Sequence, residues 1–200
     1  MTKKAIYVII ISVYGKGAQI MVYMFLANGF EEVEALCPLD LLRRAGVDVT
    51  TVGVGGESIV GTHGIVVGAD IPEIMYRDSS PKMIILPGGM PGAKNLDNSR
   101  IVDSAIRAAS KNGGYLAAIC SAPMILGKRG LLSDKCAVCF PGFEEYLDGA
   151  KIEPIKTVVR DGNTITAKGM GAAFEFGLAL IEALKGKEVA ERIKASVFAD

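Results

Sequence analysis

Short apolar runs alternate with segments of helical periodicity along most of this 200-residue chain. Apolar runs of this length are typical of strands buried on both faces, and helices between them predict a parallel sheet covered on both sides. The predicted strands include residues 21–27, 82–89 and 115–120, and the predicted helices include residues 30–46 and 98–114. The pattern therefore predicts an α/β protein with the flavodoxin-like fold, a three-layer α/β/α sandwich around a mostly parallel sheet.

Turn signals predict smaller elements beside these strands. Regular glycines among β-branched residues favour a small hairpin over residues 56–71. The dipeptide Asp161-Gly162 is a strong turn signal and predicts a second hairpin over residues 155–169. A short helix is expected at residues 142–149, and two further helices, residues 172–186 and 187–197, close the chain.

Residues 1–20 differ from the rest of the chain. They carry lysines and then a short apolar run, which resembles a signal peptide in outline but is too short to span a bilayer, for which about 20 apolar residues are needed. An added edge strand at residues 6–13 is a second interpretation. We favour a third, in which residues 1–20 are an upstream extension and Met21 is the natural start. A single domain is then expected over residues 21–200.

The charge balance argues against a nucleic-acid partner. Lys and Arg number 22 and so do Asp and Glu, which gives a formal net charge of zero. Neither a basic stripe nor an acidic tail is evident in the sequence. We therefore expect a protein that binds neither nucleic acid nor membrane.

The four cysteines predict free thiols. Cys136 and Cys139 have a CxxC spacing, but they lie in an apolar run, residues 136–142, that predicts a strand. An offset of three in a strand puts side chains on opposite faces, so this pair is expected neither to form a disulfide nor to bind a metal. With His63 as the only histidine, a Cys/His zinc site is not expected either. Free thiols indicate a reducing compartment, so a cytoplasmic protein is predicted.

Cys120 ends a predicted strand, and a predicted helix over residues 121–130 follows at once. This is the position of a nucleophile elbow, where the side chain projects from a strained turn and backbone N–H groups can hold an oxyanion. A helix N-terminus favours the thiolate, so we expect the pKa of Cys120 to lie below the ~8.5 of a free cysteine. A small buried hydrophobe is the alternative, and position alone does not separate the two.

Glu34 lies in the middle of the apolar face of the first predicted helix. An unpaired buried charge is costly, so Glu34 is expected to have a partner, and the strand that carries Cys120 can lie close by. Glu34 would then donate its proton to the thiolate or act as a general base. The alternative is a carboxylate bonded to a backbone amide. For Glu31 and Glu32 a solvated first helical turn is expected.

Five separated stretches carry a resemblance to a known family. They are GFEEVEALCPLDLLRRAG, LPGGMPGAKNL, AAICSAP, FPGFEEYL and FEFGLALIEALKGKEVA. In this order they resemble the ThiJ/PfpI superfamily, and within it the branch of the parkinsonism-associated protein deglycase and its bacterial ThiJ-like relatives. The resemblance runs from about Met21 to the C-terminus. By position, Cys120 matches the reactive, oxidisable cysteine of the family and Glu34 its partner glutamate. Gly88, Gly89 and the backbone at Ser121 match its oxyanion-binding turns.

The resemblance also implies an activity and an assembly. The implied activity is glyoxalase or protein deglycase action on methylglyoxal-type dicarbonyls, with no cofactor and no metal. The alternative is a redox sensor or chaperone whose cysteine is oxidised under stress without turnover. The implied assembly is a cytoplasmic homodimer, and three leucines of the first helix are consistent with it: Leu36, Leu39 and Leu42.

Two departures from the family pattern restrict the chemistry. Many members carry a histidine where this chain has Phe140, and the protease-like branch has a histidine where this chain has Ser121. A Cys/His dyad is therefore unavailable by either route, and peptidase or amidase activity is disfavoured. His63 is expected to have a structural role in its hairpin. Lys168 stands where relatives carry arginine, and we expect it to be structural or to line the pocket.

Overall fold

The computed structural model describes residues 21–199, so the predictions for residues 1–20 lie outside the described residues. The strands are β1 (Val22–Ala27), β2 (Val49–Val54), β3 (Ser58–Val60), β4 (Val66–Gly68), β5 (Ile71–Pro72), β6 (Met83–Leu86), β7 (Tyr115–Ile119), β8 (Cys136–Ala137), β9 (Lys151–Ile152), β10 (Val158–Asp161) and β11 (Thr164–Ala167). The α-helices are α1 (Glu32–Arg44), α2 (Gly92–Asp97), α3 (Arg100–Lys111), α4 (Pro123–Gly127), α5 (Ala173–Lys185) and α6 (Lys187–Ser196).

Seven strands form the central sheet in the order β10-β11-β7-β6-β1-β2-β5. All neighbours run parallel except β10 and β11, which form the predicted hairpin around Asp161 and Gly162. The strand pair β3–β4 is the other predicted hairpin and lies outside this sheet. The predicted flavodoxin-like sandwich with a mostly parallel sheet is confirmed.

The residues of β1 alternate between two cores, one on each face of the sheet. Val22, Met24 and Leu26 belong to the core under α1 and α5, and Tyr23, Phe25 and Ala27 to the core under α3. All six are buried, because successive side chains of a strand point to opposite faces and helices cover both. A continuous apolar run is the sequence consequence of this arrangement.

Helices α1 and α5 pack closely against each other. A Cβ built on Gly177 would lie 2.6 Å from Leu41 Cδ1 and 3.1 Å from Pro38 Cα, so a larger residue would require α1 or the Leu41 side chain to shift. Leu39 and Leu42 are buried in the same core, and Leu36 packs against it. Packing within the single chain therefore accounts for Leu39 and Leu42, while the half-buried Leu36 and the predicted homodimer are left as predicted.

Three local predictions differ from the structure. The predicted strand at residues 136–142 is limited to Cys136–Ala137, and the predicted helix at 142–149 is a single 3-10 turn, Glu144–Tyr146. Helix α2, Gly92–Asp97, was not predicted. All four cysteines are free thiols, as predicted. Among residues 21–199, no helix combines the length and apolar character needed to cross a membrane.

Candidate active site

Cys120 occupies a sharp turn between β7 and α4. Its φ of +65° lies in the left-handed region, which side chains rarely adopt outside special turns. The turn is held by two backbone hydrogen bonds. The Cys120 N–H donates to Ala167 O at 2.9 Å, and the Phe140 N–H donates to Cys120 O at 2.8 Å. The predicted nucleophile elbow is therefore present, at the carboxyl end of the sheet.

Glu34 projects from α1 into this turn and is 1% exposed. Its carboxyl group is hydrogen-bonded to the Cys120 side chain, and its Oε2 accepts the Gly88 N–H at 3.1 Å. A Cβ on Gly88 would lie 2.6 Å from both Cys120 Cβ and Glu34 Oε2, so a glycine is required there. The structure thus brings the predicted pair together. It also shows the hydrogen bond to a backbone amide that was the alternative partner for Glu34.

The N-terminal turn of α1 aims Glu34 at the thiol. Glu31 caps the helix, and its Oε2 accepts the Glu34 N–H at 2.7 Å. The Glu31 N–H in turn donates to Gly88 O at 3.0 Å. Because these bonds tie the start of the helix to the turn after β6, the Glu34 side chain enters the site from a fixed position.

Burial raises the pKa values of both members of the pair. Desolvation, with a smaller contribution from the charge of Glu31, raises the pKa of Glu34 to about 7. Desolvation, together with the charge and hydrogen bond of Glu34, raises the pKa of Cys120 to about 12. The prediction of a lowered thiol pKa is therefore wrong, because an ionised neighbour and burial outweigh the helix start. Near and above neutral pH the pair holds one proton, which their hydrogen bond allows either atom to carry.

Two backbone amides point at the thiol. The N–H groups of Gly89 and Ser121 hydrogen-bond to Cys120 and lower its pKa, though less than burial raises it. Backbone donors beside a nucleophile are the type of group that can hold an oxyanion, so Gly89 and Ser121 stay predicted oxyanion-binding residues. The Gly88 N–H is different, because it binds Glu34 and so holds the acid in place. Ser121 contributes through its backbone, since the residue is 2% exposed and its Oγ has no hydrogen-bond partner among the described residues.

Glu32, which is buried, and His63, which is exposed, form a second contact near the site. His63 Nδ1 lies 2.8 Å from Glu32 Oε2, and the His63 N–H donates to Glu32 Oε1 at 2.7 Å. Glu32 is 4% exposed, so the prediction of a solvated first turn is wrong for this residue. The contact ties the β3–β4 hairpin to α1, which agrees with the structural role predicted for His63.

One cluster within residues 21–199 has the composition of a metal site. Ligand atoms of Glu31, Glu32 and His63 all lie within 4.8 Å of one another. However, Glu31 already caps α1 and Glu32 already binds His63. The start of a helix also carries partial positive charge, which disfavours a cation. We therefore assign no metal to this cluster.

An open cavity of about 390 Å³ adjoins the turn after β11. Phe140, Lys168, Gly169 and Met170 contribute to its wall. The Lys168 Nζ donates to Pro154 O at 3.0 Å, so this side chain has a structural contact as well as a place in the wall. From the sequence, Phe140 was noted only as the residue in place of a family histidine, and the cavity was missed. The signal that could have indicated it was Met170, a large apolar residue between two glycines.

Comparisons with known proteins agree with this geometry. The DJ-1/PfpI family profile matches residues 20–183. The dj-1beta protein of Drosophila melanogaster is 36% identical over 172 residues, which are 85% of this chain and 92% of that protein. The glutathione-independent glyoxalase DJR-1.2 of Caenorhabditis elegans is 30% identical over 161 residues, which are 79% of this chain and 84% of that protein.

Solved structures give the same result for the fold. The crystal structure of Drosophila melanogaster DJ-1beta superposes with a TM-score of 0.85 at 34% identity, covering 90% of this chain and 98% of the other. The structure of Toxoplasma gondii DJ-1 in its oxidised form superposes with a TM-score of 0.84 at 32% identity, with the same coverage. The chain belongs to the DJ-1/PfpI family.

Proposed function

We propose that the protein converts 2-oxoaldehydes such as methylglyoxal to 2-hydroxy acids without a cofactor. The observation that carries this proposal is the buried, hydrogen-bonded pair of Glu34 and Cys120 at a left-handed elbow. The name of the Caenorhabditis elegans relative, a glutathione-independent glyoxalase, supports the same reaction class.

In the first step the Cys120 sulfur attacks the aldehyde carbon, and an S–C bond forms as the C=O π pair moves to oxygen. Glu34 holds the proton that leaves the thiol. The amides of Gly89 and Ser121 stabilise the oxyanion, and Glu34 passes the thiol proton to it, which gives a hemithioacetal and leaves Glu34 as a carboxylate. A base with a pKa of about 7 suits this proton transfer at neutral pH.

The second step moves hydrogen between the two carbons of the substrate. Glu34 removes the proton on the former aldehyde carbon to give an enediol, and a proton returns to the neighbouring carbon. The former aldehyde carbon is thereby oxidised to a thioester and the ketone carbon reduced to an alcohol, so no external oxidant is needed. Water cleaves the thioester to release a 2-hydroxy acid, lactate from methylglyoxal, and the free thiol.

Protein deglycase activity belongs to the same proposal. Early adducts of these aldehydes on amines and thiols dissociate to the free 2-oxoaldehyde, which the reaction above consumes. Peptidase activity is not proposed, because the chain has Ser121 and Phe140 at the two positions where family members carry a histidine beside the cysteine. A cytoplasmic homodimer, which the family resemblance implies, is likewise proposed, and sedimentation of the purified full chain tests the dimer.

The test is turnover of methylglyoxal to lactate by wild type, Cys120→Ala and Glu34→Gln, with Cys136→Ala as a control for loss of a thiol. We expect both site variants to lose turnover and the control to keep it, because Cys136 lies in β8 and not at the elbow. Normal turnover by either site variant would contradict the mechanism.

A redox-sensing or chaperone role is the second candidate, favoured by the oxidised form in which Toxoplasma gondii DJ-1 was solved. In this case mild peroxide oxidises the Cys120 thiolate to a sulfinate, with transfer of two oxygen atoms to sulfur and release of water. Intact-mass measurement after peroxide treatment distinguishes the roles. Stoichiometric oxidation limited to Cys120 in a protein without dicarbonyl turnover would favour the sensor.

A further inference from the structure

The cavity beside the reactive pair has a mostly apolar wall. Phe140 and Met170 are unusually open for large apolar side chains, with 47% and 55% of their surfaces exposed. Pro141 and Ala172 complete the apolar part of the wall. Exposed apolar side chains that line a concave surface near reactive groups are typical of ligand sites.

This cavity lies next to the reactive pair, with Gly169 between its wall and Glu34. A Cβ built on Gly169 would lie 3.3 Å from the Phe140 ring and 4.0 Å from Glu34 Oε1. Gly169 is therefore the residue between the Phe140 ring and the carboxyl group of Glu34. The Phe140 N–H donates directly to Cys120 O. Phe140 is therefore a neighbour of both members of the reactive pair, through its ring toward Glu34 and through its backbone toward Cys120.

The polar side chains of the wall are engaged elsewhere. The Lys168 Nζ donates to Pro154 O, and the Thr157 hydroxyl donates to a carboxylate oxygen of Glu175. Apolar surface is therefore what the cavity offers to a ligand. The methyl group of methylglyoxal would fill only a small part of about 390 Å³.

We propose that Phe140, together with Met170, makes this site selective for 2-oxoaldehydes that carry a large apolar substituent, such as phenylglyoxal, over methylglyoxal. This inference rests on the proposed function and names its substrate class. An additional methylene in an apolar pocket changes kcat/KM by about 10-fold or more. Because the cavity is open on one side, we expect a preference of at least about 10-fold for phenylglyoxal, expressed mainly in KM.

The experiment measures kcat/KM for methylglyoxal, isopropylglyoxal and phenylglyoxal with wild type, Phe140→Ala and Phe140→Leu. Comparing the ratio between enzymes removes the intrinsic reactivity of each aldehyde. The preference ratio should fall several-fold in Phe140→Ala and be largely retained in Phe140→Leu, which keeps an apolar side chain. Phe198→Ala is the matched control, since Phe198 is 95% exposed at the C-terminal end of the chain and should leave the ratio unchanged.

The outcomes separate the two proposals. Turnover of methylglyoxal as efficient as that of phenylglyoxal, or an unchanged ratio in Phe140→Ala, would overturn the selectivity and leave the proposed function standing. Absence of turnover of all three aldehydes by the wild type would overturn the proposed function and the selectivity with it.

Discussion

Glu32 and Glu34 are two carboxylates of the same helical turn, and both are buried. Burial works to raise the pKa of Glu32, but hydrogen bonds from His63 and from the backbone of residues 63 and 65 outweigh it and lower this pKa. Glu34 has one amide donor and a thiol, and its pKa rises to about 7. The number of donors that each carboxylate meets thus separates a structural anion from an acid–base group.

The largest expected difference between the two is in turnover. Glu34→Gln should lower kcat/KM for methylglyoxal by roughly 10³-fold, because the group that exchanges a proton with Cys120 is lost. Glu32→Gln should stay within a few-fold of wild type, since Glu32 binds the β3–β4 hairpin. The test is the rate of lactate formation by both variants at about pH 7.5, close to the pKa of Glu34. A similar loss of turnover in both variants would contradict the different roles of the two carboxylates.

The same substitution, Glu34→Gln, should stabilise the folded protein although it lowers turnover. A raised folded-state pKa means that the stabilising contribution of Glu34 is present below its ordinary pKa of 4.5 and is lost as pH rises through about 7. Glu34→Gln is therefore expected to raise the free energy of unfolding at pH 8 by up to about 3 kcal/mol, with a gap that closes toward pH 4. Urea titrations at both pH values measure it, and a destabilised variant at pH 8 would contradict the burial argument.

For Glu32 the sign is reversed. Its lowered pKa makes a stabilising contribution that is present above the ordinary value of 4.5 and is lost as pH falls through the folded-state pKa. Glu32→Gln should therefore lower the free energy of unfolding at neutral pH by about 1–3 kcal/mol, because charge-assisted hydrogen bonds from residues 63 and 65 are weakened. Urea titrations of both proteins measure this difference. Equal stability of variant and wild type at about pH 7 would show that these hydrogen bonds contribute little.

The smallest effect is expected for His63→Ala. The His63 side chain is 70% exposed, and the backbone N–H of residue 63 still binds Glu32 after the substitution. The melting temperature should fall slightly, and by less than in Glu32→Gln. A larger fall than in Glu32→Gln would mean that the ring, and not the backbone amides, holds the hairpin.

Much of the fold could be predicted because its determinants are local. The apolar runs of β1, β6 and β7 and the glycine breaks of the hairpins are visible in short windows of sequence. Glu34 stood out for the same reason, as a charge on an apolar helical face.

The rest depends on contacts between distant segments. Glu32 has the sequence position of a solvated first-turn acid, and its burial comes from a hairpin about thirty residues further along the chain. The raised pKa of Cys120 results first from burial and then from the charge and hydrogen bond of Glu34, and no window around the cysteine contains either cause. The cavity at Phe140 is completed by the loop at residues 168–172. Sequence patterns predicted the pair of Glu34 and Cys120 that the fold brings together, but not the pKa shifts that follow from their packing.

The central claim, that Glu34 and Cys120 share one proton, is tested most directly by the rate of Cys120 alkylation by iodoacetamide as a function of pH. The rate should be followed by mass spectrometry of the Cys120 peptide in wild type and Glu34→Gln. In wild type the rate should rise with a first midpoint near the Glu34 pKa of about 7, because a second proton on the pair leaves no thiolate, and it should rise again only toward the Cys120 pKa of about 12. In Glu34→Gln that midpoint should disappear. Superimposable profiles for the two proteins would contradict the account.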